Sequence, residues 1–252
     1  MRSARRRRPA LAGVLLALCS AWAPAADPPE LRALPMLAPL VGPGALPQLP
    51  WHVEGLPGQR KPYTRFDIAA LDGERVLRVE SARSYGNLVH VTHLEAGAAH
   101  RLSWRWRVDE APAGADLRER QAEDMPLRVC AMFDLPLAAL PFVERQILRA
   151  VRLRSHDELP AATVCYVWDA RLAPGTVLVS PFTRRIRYLV LRGPESPLHG
   201  WRREQRDLDK DFLRLFGDEA ATVPPLMGVA VGGDADNTQG HGLAHLADLE
   251  LV

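Results

Sequence analysis

Oxygen-bearing side chains are concentrated near the C-terminus, in the stretch Gly232-Gly233-Asp234-Ala235-Asp236-Asn237-Thr238. Two acids, an amide and a hydroxyl follow a flexible diglycine, and hard oxygen ligands of this kind suit calcium. Counted from Asp234, position six is Gln239 instead of glycine and position twelve is His245 instead of glutamate, so the stretch is not an EF-hand. Asp and Asn more often cap their own backbone in a turn. The sequence therefore leaves a calcium site and a capped turn as alternatives.

A second stretch with chemical potential is Arg101–Val108, in which apolar and polar residues alternate. One face carries Leu102, Trp104, Trp106 and Val108, and the other carries Ser103, Arg105 and Arg107. This period of two predicts a strand with one buried face. Tryptophan faces can stack on sugar rings. Because aliphatic residues share their face, we interpret both tryptophans as core residues.

The opposite face of this strand is a candidate ligand-binding surface. Arg105 and Arg107 would stand there, and the strand containing Arg128 could bring a third guanidinium near the acidic loop at 116–124, which ends at Asp124. Arginines and carboxylates arranged in this way can bind hydroxyl-rich or anionic ligands. A solvated face of ion pairs is the alternative interpretation.

Motifs for most catalytic chemistries are absent from the sequence. It contains no nucleophile elbow, zinc-protease motif, Walker loop or dinucleotide fingerprint. Glycoside hydrolysis needs two carboxylates a few ångströms apart. Four acids are candidates for this role: Asp134, Asp169, Glu204 and Asp248. Their spacing does not show that any two converge, so we assign no catalytic residue.

The N-terminal residues 1–25 are typical of a secretory signal peptide. Five arginines precede the apolar run from Leu11 to Leu18, and a small-residue cleavage site, Ala23-Pro24-Ala25, follows. The bulky Leu18 argues against lipid anchoring at Cys19. Without the leader arginines the chain, whose formal charge is +2, becomes mildly acidic, which disfavours nucleic-acid binding. We expect a periplasmic or secreted protein with no membrane-spanning segment.

The mature chain would keep two cysteines, Cys130 and Cys165. In an oxidising compartment they could form a disulfide, and two separate buried thiols are the equally weighted alternative.

The elements that must position these residues are mainly short strands. Residues 26–50 contain seven prolines and predict an extended lead-in that lies on the surface or stays mobile, with order beginning at Trp51. From there about nine strand-like runs alternate with turns, and helical periodicity occurs only at Pro141–Arg154 and Asp207–Phe216. This pattern predicts a single domain over 51–252. Its fold class is all-β, an antiparallel β-sandwich or jelly roll with two short helical insertions.

Several motifs in this order resemble a secreted bacterial family known as domain of unknown function 3047. They are Leu102–Val108; Asp124 with Arg128-Val129 and Phe133-Asp134; Tyr166-Val167-Trp168; Gly200-Trp201 with Glu204 and Arg206; Asp211-Phe212 with Phe216-Gly217; and Asp234–Thr238 before Ala247-Asp248-Leu249. The chain departs from the pattern at Leu137–Pro160, where the helix looks like an insertion. It also has Glu123 where a second aspartate is expected.

The resemblance implies a sandwich similar to galactose-binding and carbohydrate-binding jelly rolls. It also implies that Asp248, on the closing strand, joins Asp234, Asp236 and Asn237 as a candidate metal ligand. The motif aromatics Trp168 and Trp201 complete a candidate ligand-binding set with Arg105, Arg107, Arg128 and Asp124. We expect a non-catalytic binding module for a saccharide or another cell-envelope ligand. A glycan-acting hydrolase and a structural envelope-assembly protein are the alternatives.

Overall fold

The computed structural model describes residues 37–96, 100–153 and 159–252. The predicted signal peptide, including Cys19, and the first part of the proline-rich segment lie outside these residues. None of the helices in the described ranges is long and apolar enough to cross a membrane.

The chain folds into two β-sheets. Numbered along the chain, the strands of the seven-stranded sheet are, in spatial order, β1 (His52–Glu54), β4 (Tyr85–Leu94), β11 (Leu226–Asp234), β6 (Met125–Phe133), β7 (Ala162–Trp168), β9 (Ile186–Arg192) and β8 (Val177–Val179). Those of the five-stranded sheet are β10 (Arg202–Asp207), β5 (Arg101–Glu110), β12 (His241–Leu251), β3 (Glu74–Ala82) and β2 (Arg65–Leu71). The predicted β-sandwich is confirmed. Neighbouring strands are antiparallel except for β7 and β9, which run parallel.

Two helices interrupt the strands, as their apolar periodicity predicts. They are α1 (Phe142–Arg152) and α2 (Leu208–Phe216), and a single 3-10 turn at Leu137–Ala139 precedes α1. The side chain of Asp207 caps α2 by accepting a hydrogen bond from the backbone N–H of Lys210 at 3.1 Å.

The core lies between the two sheets, and strand β5 supplies its largest side chains. Trp104 and Trp106 are fully buried and pack edge to face, with ring centroids 5.5 Å apart. Trp168 of β7, on the facing sheet, packs against Trp106 at 5.7 Å. The interpretation of both β5 tryptophans as core residues is therefore correct.

The end of the proline-rich segment packs on the sandwich, which corrects the expectation that order begins at Trp51. Leu40 is buried in the core, and the indole N–H of Trp51 donates to the carbonyl of Ala38 at 2.8 Å. The backbone N–H of Ala38 donates in turn to Nε2 of His90 at 2.9 Å. Apolar residues between the prolines gain from burial, and composition alone did not reveal this.

The outer face of the seven-stranded sheet is also largely covered. Side chains alternate along β6, so that Val129, Ala131 and Phe133 enter the core while Cys130 and Met132 join a second apolar cluster on the outer face. This outer face holds the cleft described below.

Candidate functional site

The charged face of β5 is a network of ion pairs. Arg105 donates to Asp248 at 2.5 Å and to Glu74 at 2.7 Å. Arg107 donates to Asp109 at 2.7 Å and to Asp72 at 3.0 Å. The guanidinium groups of both predicted ligand-binding arginines are therefore directed at neighbouring carboxylates, as in the ion-paired alternative.

The predicted tryptophans lie in different places. The ring of Trp201 lies under the guanidinium of Arg105 at 5.2 Å, and its indole N–H donates to Asp72. It therefore belongs to the ion-paired face. Trp168 is 2% exposed and packed between the sheets, which removes it from the residues that could contact a ligand.

Two carboxylates of the Asp234–Thr238 stretch converge with that of Asp124. Asp124, Asp234 and Asp236 each offer an oxygen within 4.8 Å of the others, and all three are buried. Asp124 accepts hydrogen bonds from the backbone N–H groups of Asn237 at 3.1 Å and Thr238 at 2.7 Å, so it caps this turn from its position just before β6. The predicted metal ligand Asn237 also donates its side-chain amide to Asp124.

Asp248 does not join this cluster. It lies at a bulge where β12 changes its register against β5, with a positive φ of 52°. Its carboxylate faces Arg105 on the outer face of the five-stranded sheet. The resemblance to carbohydrate-binding jelly rolls implies that Asp248 shares a cation with Asp234 and Asp236. The structure places its carboxylate against Arg105 instead.

Two cations already neutralise part of the carboxylate cluster. Arg128 donates to Asp234 at 2.7 Å, and Lys61 forms a close ion pair with Asp236. Among the described residues, Oδ1 of Asp236 has no hydrogen-bond partner although it is buried. Burial raises the pKa of Asp234 to about 6, against the opposing effect of Arg128.

A cleft with a volume of about 690 Å³ lies on the outer face of the seven-stranded sheet. Arg128 is the member of the predicted ligand-binding set that lines it. The other polar residues at this end were not predicted. They are Tyr85, Asn87, Glu123, Ser180 and Tyr188. The alternation of Arg128, Cys130 and Met132 along β6 was the one sequence signal that pointed to this face.

Arg128 is held across the sheet by the residues around it. It donates from Nη2 to Oδ1 of Asn87 at 2.9 Å, and its guanidinium lies over the ring of Tyr85 at 5.2 Å. Gly232 stands between Asn87 and Arg128 in the register of β11. A Cβ atom at Gly232 would lie 2.3 Å from Oδ1 of Asn87 and 2.8 Å from Nε of Arg128. Glycine is therefore required for this arrangement.

Glu123 places a buried carboxyl group at the polar end of the cleft. Its Oε1 accepts hydrogen bonds from Tyr188 at 2.5 Å and from Ser180 at 2.6 Å. No hydrogen bond from a described residue reaches its Oε2. Burial raises the pKa of Glu123, and these hydrogen bonds together with Arg128 oppose the increase.

A disulfide between Cys130 and Cys165 forms the middle of the cleft floor. The two cysteines face each other across the antiparallel strands β6 and β7. The disulfide alternative for the two cysteines is therefore the correct one.

The four acids considered for glycoside hydrolysis do not form a pair. Asp134 follows β6 and Asp169 follows β7, so they lie at opposite ends of this antiparallel strand pair. Asp169 accepts hydrogen bonds from the backbone N–H groups that follow it. Glu204, on the other sheet, accepts from Arg192 and from the indole of Trp106.

Solved structures similar to this chain share little sequence with it. TmCBM61, in complex with beta-1,4-galactotriose, is 11% identical, with 81% of this chain and 88% of that chain covered and a TM-score of 0.31. The xyloglucanase domain of NopAA, a type three effector from Sinorhizobium fredii in complex with cellobiose, is 8% identical, with 81% and 97% covered and a TM-score of 0.40. Endoglucanase 3 of Trichoderma harzianum, from family GH12, is 6% identical, with 81% and 97% covered and a TM-score of 0.35. A comparison with curated proteins finds no match.

The family comparison covers the sandwich from end to end. The model described as "Protein of unknown function (DUF3047)" matches residues 49–250, which include all twelve strands except the last residue of β12. The chain therefore belongs to the DUF3047 family.

Proposed function

We propose that this protein is a non-catalytic binding module of the cell envelope, and that it holds a saccharide or another envelope ligand in the cleft of the seven-stranded sheet. The single observation that carries the proposal is the cleft itself. Its volume lies within the range of small-molecule sites, and a few convergent polar groups stand at one end of a largely apolar floor.

The polar end supplies the groups that would orient such a ligand. Asn87 and Arg128 offer donors, and Glu123 offers an acceptor, around one end of the cleft. Phe182 stands on the rim with 47% of its surface exposed, and the guanidinium of Arg120 lies over one face of its ring at 4.8 Å. An exposed aromatic ring beside hydrogen-bonding groups is suited to stacking on a sugar ring.

The proposed location is the periplasm or the extracellular space. The N-terminal sequence supports it through its arginine-rich, apolar and small-residue regions. The Cys130–Cys165 disulfide supports it as well, because structural disulfides persist in oxidising compartments.

The proposal is tested by measuring binding and product release for a panel of envelope glycans and their fragments. We expect saturable binding without cleavage, and Phe182→Ala should weaken it about tenfold. Trp201→Ala is the matched control because it removes an aromatic ring from the ion-paired face of the other sheet. Binding that is lost in Trp201→Ala and retained in Phe182→Ala would overturn the placement of the ligand in the cleft.

A glycan-acting hydrolase is the second candidate, and Glu123 is the observation that favours it. A buried carboxyl group whose pKa is raised can act as a general acid. In that case the panel would yield products, and Glu123→Gln would abolish them while leaving binding in place. Cleavage without detectable retention of the glycan would exclude the binding-module proposal.

We also propose calcium as a ligand of the Asp124, Asp234 and Asp236 carboxylates. Their oxygens are of the kind that calcium prefers, and Asp236 keeps one oxygen without a partner among the described residues. Lys61 would compete with the ion for Asp236.

A further inference from the structure

We propose that the ligand of the cleft is an amphiphile, and that its aliphatic chain lies along the half of the cleft bounded by α1. This inference rests on the proposed binding function and specifies the ligand class of the same cleft. It follows from a gradient of polarity along the cleft floor.

The gradient runs along β6, whose outward side chains change from charged to apolar. Arg128 stands at one end, Cys130 in the middle and Met132 at the other end. Arg128 and Met132 are four residue steps apart, which corresponds to about 13 Å along the strand at about 3.3 Å per step. A ligand that follows β6 therefore meets a guanidinium first and a thioether about 13 Å further on.

The middle of the floor offers a ligand few hydrogen-bonding groups. Val89, Ala230, Cys130, Cys165 and Tyr188 face one another in register across five strands. Four of these side chains are aliphatic or part of the disulfide, and the hydroxyl of the fifth is engaged with Glu123. An extended carbohydrate would leave its hydroxyl groups without partners here, at a cost that an alkyl chain does not incur.

The wall of this half is α1, which exposes apolar side chains towards the cleft. Ile147, Leu148 and Val151 line it together with Leu159. Ile147 is 59% exposed. An aliphatic chain lying on these residues would remove their surface from water.

The charged residues of this half compensate one another. Arg184 and Arg185 both pair with Glu144, at 3.4 Å and 2.7 Å, and Arg185 also pairs with Glu219 at 2.7 Å. They therefore present little unbalanced charge to an apolar chain. The hydrogen-bonding groups suited to a head group lie at the opposite end, around Asn87, Arg128 and Glu123.

The dimensions favour an alkyl chain over a protein partner. A volume of about 690 Å³ lies within the range of small-molecule sites. The occupant is therefore a single aliphatic chain with a polar head group.

The test measures binding of n-alkyl maltosides with 6, 8, 10 and 12 carbons, below their micelle concentrations, by calorimetry on the mature chain. Maltose is the head group without a chain, and fatty acids of the same lengths provide a different head group. We expect affinity to rise roughly tenfold for each two methylenes until the cleft is filled. Ile147→Glu should abolish this increase. Val143→Glu is the matched control, since Val143 is similarly exposed on α1, at 66%, and does not line the cleft.

Each outcome decides the proposal. An increase with chain length that is lost in Ile147→Glu and kept in Val143→Glu supports it, and the two head groups then distinguish a glycolipid from an acid-headed lipid. Glycan binding that depends on Phe182 but not on chain length overturns the inference and leaves the proposed function standing. Absence of binding by alkyl compounds and by the glycan panel overturns both. Equal loss in both α1 variants indicates adsorption to exposed apolar surface and overturns the inference.

Discussion

Arg128 and Asp234 form a buried ion pair at the polar end of the cleft, with Nη1 of the arginine 2.7 Å from Oδ2 of the aspartate. The other carboxylate oxygen of Asp234 accepts the backbone N–H of Met125 at 2.9 Å. The side chains are 6% and 3% exposed, so removal of either partner would leave an uncompensated charge inside the protein. This pair fixes the charge that a ligand would meet beside Asn87.

The first prediction concerns the pH dependence of stability through Asp234. Because burial raises its pKa from 3.8 to about 6, the folded state binds more protons than the unfolded state between about pH 4 and pH 6. The stability contributed by the protonated carboxyl group is present below about pH 4 and is lost as the pH rises through about 6. We expect the free energy of unfolding of the wild type to fall by about 3 kcal/mol over this window relative to Asp234→Asn.

Urea unfolding at pH 4, 5, 6 and 7 measures this difference. Asp134→Asn serves as the control for the loss of an aspartate, because the side chain of Asp134 is 58% exposed. A difference that stays constant, or that changes in the opposite direction, would show that Arg128 outweighs burial at Asp234.

The second prediction concerns the disulfide. We expect the intact mass of the oxidised protein to be lower than that of the reduced protein by two hydrogens. The Cys130→Ala/Cys165→Ala variant should lose about 3 to 4 kcal/mol of stability, since the bond closes a loop with a sequence separation of 35 residues. Free thiols at both positions in protein from an oxidising compartment would contradict the bond.

The third prediction separates the two core tryptophans. The indole N–H of Trp106 donates to Glu204 at 3.0 Å, whereas the buried indole N–H of Trp104 has no partner among the described residues. Replacement by phenylalanine removes similar volume at both positions but breaks a hydrogen bond only at Trp106. We expect Trp106→Phe to cost about 1 kcal/mol more than Trp104→Phe. Equal costs in chemical denaturation, or the reverse order, would contradict the assigned hydrogen bond.

The fourth prediction concerns calcium and its competition with Lys61. Calcium at ten times its dissociation constant should stabilise the protein by roughly 1.4 kcal/mol, or about 3 to 5 °C in melting temperature. The stabilisation at a fixed calcium concentration should be larger in Lys61→Ala, where Asp236 loses its cationic partner, and absent in Asp236→Ala. Sodium chloride at equal ionic strength is the control. Identical melts with calcium and with a chelator, in the wild type and in Lys61→Ala, would exclude the ion.

Most of the fold followed from local patterns in the sequence. The alternation around Trp104 and Trp106 set the buried face of β5, and the helical spacing at Phe142 and Leu208 marked α1 and α2. Strand β10 was missed because all six of its residues, Arg202–Asp207, are polar, so no apolar alternation marks it. Its pairing with β5 is what makes it a strand.

The cleft could be predicted only in part. Arg128 was recognised as a candidate, but its partners Asn87 and Asp234 lie 41 and 106 residues away along the chain. Glu123 drew attention only as a departure from an expected aspartate, and its hydrogen bonds to Tyr188 and Ser180 depend on the pairing of distant strands. Contacts of this kind arise from topology, on which local spacing carries no information.

The composition of β10 also bears on association between copies of the chain. As an edge strand, β10 has backbone groups on one side that no strand of its own sheet satisfies. Five of its six residues are charged and the sixth is Gln205, so β10 has no apolar side chain against which a second strand could pack. At both edges of the seven-stranded sheet the strands are only three residues long. Three of the four edge strands are therefore charged or very short. The fourth, β2, is partly covered by the preceding segment, because the backbone N–H of Ile68 donates to the carbonyl of Ala45 at 2.8 Å. These features protect the sandwich against edge-to-edge aggregation.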